Sequence, residues 1–135
     1  MLPFTLDTLR LTIHVIAACV WVGGQVVLGA LVPTLRSIGP HAPGLAARRF
    51  AMVAWPAFAV LVATGIWNIL DTDFDNVGDG YHLTLGIKLL LVTLSGMSAA
   101  AHAASDRTAI IAAGGAVGLI ASLAAVIVGV QLSGS

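Results

Sequence analysis

Charge is scarce in this sequence. Only 9% of its 135 residues are Asp, Glu, Lys or Arg, against about 25% in an ordinary soluble domain. By contrast, 59% are hydrophobic and the mean hydropathy is +1.01. A chain this short cannot hide so much apolar surface inside a water-facing shell, so a membrane protein is expected. The formal net charge is zero and there is no basic run, which leaves no electrostatic footprint for nucleic acid. Cys19 is the only cysteine, which excludes an internal disulfide and leaves the redox compartment open. No basic stretch precedes the first apolar run and no clean small-residue cleavage site follows it, so that run reads as a first span rather than a removed signal. No internal repeat stands out.

What the sequence does have is apolar length. A bilayer core of about 30 Å needs about 20 apolar residues in a helix, and four segments qualify: residues 8–32, ending at Pro33, then 46–70, 83–104 and 108–132. Lipid offers the backbone no hydrogen bonds, so spans must be helices or a closed barrel. The alternation of barrel strands is missing here. The expected fold class is therefore all-α, an integral-membrane four-helix bundle forming one transmembrane domain over residues 1–135.

The connections are asymmetric. The stretch 33–49 carries Arg36, Arg48 and Arg49 and no acid, whereas 71–82 carries Asp71, Asp73, Asp75 and Asp79 and no Lys or Arg. Positive residues mark the cytoplasmic side. A multi-pass protein of the cytoplasmic membrane, with both termini outside, is expected. Small residues mark helix faces that approach closely in lipid: Gly23 and Gly24 in the first span, Gly96 and Ala100 in the third, and Gly114, Gly118, Ala121, Ala125 and Gly129 in the fourth. These serve packing within the bundle or a homodimer face on the fourth span. Pro56 is expected to kink the second span near Trp55.

Few polar side chains interrupt the spans. At about 1.5 Å per residue, His14 lies about 9 Å deep in the first span and Lys88 about 8 Å deep in the third. Gly65 in the second falls near that level, with Asn68 about one turn further out. A shared site in the outer half is the expectation, with His14 and Lys88 as its reactive pair, Asn68 beside them and Gly65 leaving room. An ionisable residue inside a span is costly and needs a partner. Plainer roles exist for both: Lys88 can snorkel to the headgroups, and His14 can hydrogen-bond a carbonyl or Asn68. A neutral imidazole is also the form that binds metal. His82, at the outer mouth, is a second candidate ligand. His102 lies about 20 Å from Lys88 along the third span, and an i, i+4 pair with Asp106 accounts for it. Met97 and Met52 are weaker metal candidates; with Cys19 they are the kind of soft donor that copper(I) favours, but the three do not share a depth. Trp21 and Trp55 read as core, and Trp67 as an interfacial anchor.

The order of these motifs resembles a known group. His14 followed by Trp21-Val22-Gly23-Gly24 resembles the first-helix motif of the copper-resistance protein D (CopD) family. Arg48-Arg49-Phe50 resembles that family's next block, Gly65-Ile66-Trp67-Asn68 its "TGxxN" end of helix 2, and Ile87-Lys88-Leu89 its "LK" start of helix 3. The pattern is also similar to the HemJ-type membrane protoporphyrinogen oxidases, whose "PAM…GIW" block is echoed by "WPAFAVLVATGIW". That resemblance implies haem b, with His14 as the haem-associated histidine and Lys88 as the functional lysine. An arginine of that family late in helix 1 is replaced here by "VVLGALVPTL", and the fourth span lacks the family's polar, aromatic-rich tail. The resemblance therefore implies the broader CopD-like group rather than protoporphyrinogen oxidation itself. Three functions follow as expectations: a haem b redox protein, a possible oxidoreductase, with His14 on the iron and Lys88 on a carboxylate; a copper-handling protein with His14 as entry ligand and Met97, Met52 and His102 further in; or a cofactor-free accessory subunit.

Overall fold

The computed structural model describes residues 4–134, so the ends of the 1–135 domain expectation lie outside the described residues. It is all-helical, 87% helix, with no strand among the described residues. Four helices are long and apolar enough to cross a membrane: α1 (Leu6–Ile38), α2 (Ala42–Leu70), α3 (Asp79–Ala104) and α4 (Thr108–Ser133). They form two compact units, one ending at Thr72 and containing α1 and α2, the other starting at Asp73 and containing α3 and α4. Each unit is a pair of consecutive helices joined by a short turn.

Helix α1 starts where Thr5 caps it, its hydroxyl accepting from the Thr8 N–H at 3.2 Å. Asp7 adds a negative charge to the first turn, where the helix dipole favours one. The helix does not stop at Pro33, as the sequence suggested, but continues to Ile38. Proline's fixed φ is helical, and its one missing N–H is tolerated in membrane helices. The arginine-bearing connection therefore shrinks to residues 39–41, Arg36 rides in the last turn of α1, and Arg48 and Arg49 stand on α2. Pro56 likewise lies inside a continuous α2.

At mid-length α1 widens into a π-helical turn, Cys19–Gly23. The Gln25 side chain donates to the Trp21 carbonyl there at 2.9 Å. Trp21, 3% exposed, packs on α2 against Phe58 (ring centroids 4.4 Å) and Trp55 (5.5 Å, edge to face). Immediately after it, the Phe50 ring fills the place where a Gly24 side chain would stand. So Trp21, Gly24 and Phe50, taken from two separate sequence motifs, meet as one packing unit.

The α3–α4 pair is built on small residues. A Cβ at Gly114 would stand 2.9 Å from the Ser98 carbonyl oxygen and 3.2 Å from the His102 nitrogen; one at Gly118 would stand 3.5 Å from the Ser98 Cβ. The buried Ser95 and Ser122 hydroxyls meet at 2.6 Å, and Ser122 also donates to the Gly118 carbonyl. Gly114 and Gly118 thus face α3 within the unit. Hydroxyls elsewhere turn back on their own helices: Thr12, Thr84 and Thr93 each donate to the carbonyl four residues earlier. This satisfies them where lipid cannot.

Candidate functional site

The polar side chains of the first unit line up on one seam between α1 and α2. His14 and Arg10 are one turn apart on α1. Facing them are Thr64 and Asn68 on α2 and Asp71 at its C-terminal cap, spaced by four and three residues, so they share a helix face. The helices run antiparallel, which pairs His14 with Thr64 and Arg10 with Asp71.

The His14–Thr64 contact determines how the imidazole is held. The Thr64 hydroxyl has one proton, and it goes to the Val60 carbonyl at 2.7 Å, with Leu61 at 3.2 Å as a weaker acceptor. The hydroxyl oxygen therefore accepts from His14, 2.8 Å from Nδ1. In the neutral ring the lone pair then belongs to Nε2. Gly65 borders the same ring: a Cβ there would be 3.5 Å from His14 Cε1, an ordinary contact distance.

One turn nearer the N-terminus, Arg10 is only 9% exposed. Its Nη1 donates to Asp71 Oδ2 at 2.6 Å and its Nη2 lies 3.2 Å from Asp7 Oδ1. Its guanidinium carbon sits 5.8 Å from the centre of the Trp67 ring, within cation–π range. Trp67 thus has a charged partner as well as a boundary position. Two buried polar atoms on this seam, Arg10 Nε and Asn68 Oδ1, have no hydrogen-bond partner among the described residues. A buried group left in that state costs about 1–3 kcal/mol.

The second unit holds Lys88, His82, His102 and Met97, and the first holds Met52 and Cys19. Lys88 lies against α4 at Gly129: a Cβ there would be 3.4 Å from Nζ, an ordinary contact distance. His82 is at the rim, stacked on Phe74 with centroids 5.6 Å apart. His102 is held by α4 rather than by Asp106: its Nδ1 donates to the Ile111 carbonyl at 2.6 Å. The i, i+4 pair is ruled out because α3 ends at Ala104 and Asp106 follows in extended chain. Met52, Met97 and Cys19 are exposed on their helices. Among the described residues no three His, Cys, Asp or Glu side chains converge on a metal-sized site.

His14 and Gly65, drawn from the expected site, thus meet in the first unit, and Asn68 shares their seam, while the imidazole's partner is Thr64 rather than Asn68. Arg10 and Thr64 are the residues that sequence reasoning passed over. Their signals were present: Arg10 precedes His14 by four, and Thr64 opens the "TGxxN" stretch. No protein-family model, curated protein or solved structure matches the chain, so its resemblance to the CopD-like group rests on the quoted motifs alone.

Proposed function

We propose that this chain is a small multi-pass protein of the cytoplasmic membrane that binds haem b through His14 and takes part in electron transfer. The observation that carries the reading is the His14–Thr64 hydrogen bond. Histidines that ligate metals nearly always donate their other ring N–H to an acceptor that fixes tautomer and ring orientation. Thr64, anchored by its own bond to the Val60 carbonyl, is such an acceptor. When bound, haem supplies a one-electron iron couple whose potential is tuned by the axial ligand and its surroundings.

The chain's own residues then have distinct tasks. His14 ligates and Thr64 orients it. In the second unit, Lys88 contributes an intramembrane cation, packed against Gly129. A single oriented imidazole suits haem, which asks for one or two axial ligands. Copper(I) draws on several soft donors, and the exposed Met52, Met97 and Cys19 do not supply a cluster. The acid-free arginine end of α1 and α2 supports a cytoplasmic position for that end, with both termini on the opposite side.

The visible spectrum of the purified protein tests the proposal. A Soret band is expected, lost in His14→Ala, weakened in Thr64→Val and kept in Thr64→Ser, whose hydroxyl can still accept the Nδ1 proton. A colourless wild-type protein after expression with ample haem overturns the reading, and stoichiometric copper in the same sample replaces it with the copper one.

A further inference from the structure

We propose that one water molecule is bound between Arg10 and Asn68, inside the α1–α2 pair. The inference is independent of haem and rests on the two atoms left over when the seam is otherwise satisfied. Arg10 Nε carries a proton and needs an acceptor; Asn68 Oδ1 is an acceptor and needs a proton. Both are buried and neither has a partner among the described residues.

Their positions make one bridging molecule the economical answer. Asn68 lies on α2 between Thr64, which holds His14, and Asp71, which holds Arg10. It therefore faces α1 between those two rows. Arg10 cannot turn Nε outward to solvent: Asp71 and Asp7 hold both terminal nitrogens, and the Trp67 ring flanks the guanidinium. Asn68 Oδ1 is itself buried on this face. A water accepting from Nε–H and donating to Oδ1 satisfies both groups at once. Buried waters occur where unsatisfied polar groups cluster in this way. The class of ligand is a neutral molecule of hydroxyl size that both donates and accepts. A simple anion would supply no proton for Asn68 and would face the Asp7 and Asp71 carboxylates.

The bound water would extend the Asp7–Arg10–Asp71 cluster by one residue, to Asn68, along the seam toward the His14–Thr64 row. It also explains why an arginine and an asparagine are accommodated where apolar side chains would pack as well.

Nuclear magnetic resonance of the full-length, ¹⁵N-labelled protein in detergent micelles provides the test. The Nε–H of Arg10 is expected to be protected, since Arg36, Arg48, Arg49 and Arg107 are exposed and Arg10 is not. In a rotating-frame experiment it should show a cross-peak to water of dipolar sign, opposite to the diagonal. In Asn68→Leu that cross-peak should be lost, and the thermal unfolding midpoint should fall. A wild-type Nε–H with no water cross-peak, or with one of exchange sign only, overturns the proposal in favour of a direct Arg10–Asn68 bond or free solvent access. An undiminished cross-peak in Asn68→Leu, or a raised midpoint, also overturns it, since removing a truly unpaired acceptor stabilises. If Asn68→Leu does not fold, the wild-type spectrum alone decides.

Discussion

Gly114→Val should separate helices α3 and α4 and lower the stability of that pair by about 1–3 kcal/mol, the range for overpacking a tight contact. The atoms that a Gly114 side chain would meet are the Ser98 carbonyl oxygen and the His102 nitrogen, both backbone, and the His102 Cβ, which moves only with the backbone. Backbone cannot rotate away as a side-chain tip can, so the whole of α3 must move. That displacement would also stretch the His102–Ile111 bond and the Ser95–Ser122 pair, each 2.6 Å long. Interhelical bonds of this kind contribute roughly 0.6 kcal/mol each in a membrane protein. Replacing a helical glycine gains up to about 1 kcal/mol of intrinsic propensity, too little to offset these losses. Gly86, on α3, has nothing within 4 Å of a built Cβ, so Gly86→Val serves as the control. Unfolding in detergent should show a large loss for Gly114→Val and little change for Gly86→Val. Equal midpoints for the two variants would refute the close-approach explanation.

Arg10→Met should cost the first unit on the order of 2 kcal/mol. Removing one partner of a wholly buried ion pair costs about 3–5 kcal/mol. The figure here is lower because the Asp71 and Asp7 side chains are 53% and 66% exposed and stay hydrated when the arginine is gone. Methionine replaces much of the apolar stem, so the measured loss reports mainly the charge and its hydrogen bonds. The two carboxylates should not contribute equally. The Asp71 contact, at 2.6 Å, ties α1 to α2, whereas the Asp7 contact, at 3.2 Å, lies within one helix. A double-mutant cycle of Arg10→Met with Asp71→Asn should give a coupling of about 1 kcal/mol or more, while the cycle with Asp7→Asn should fall within the range of exposed pairs, roughly 0.2–1 kcal/mol. The reverse ranking would mean that Arg10 serves its own helix rather than the hairpin.

These two sites differ in how well the sequence announced them. Glycines at Gly114 and Gly118 repeat every four residues, and helical geometry alone places them on one stripe. Arg10 and Asp71 are 61 residues apart, and no local period relates them. Their pairing needs the antiparallel register of α1 on α2, which is set by Trp21 against Phe58 and Phe50 against Gly24. Thr64 was hidden for a further reason: a threonine in a membrane helix can satisfy itself on the preceding turn, so its presence does not signal a partner.

The sequence by itself determined the membrane class, the all-helical fold and the four spans, because hydropathy over 20 residues is a local quantity and lipid permits little else. It also singled out His14 and Lys88, since ionisable groups inside a span are rare and costly. Only the tertiary structure decided where α1 ends, because Pro33 is compatible with continuation as well as termination. It alone decided that Thr64 orients His14, that Ile111 rather than Asp106 holds His102, and that Arg10 is buried between two carboxylates. Each of these depends on which helix faces which and in what register, and that is fixed by side chains meeting across the chain rather than along it.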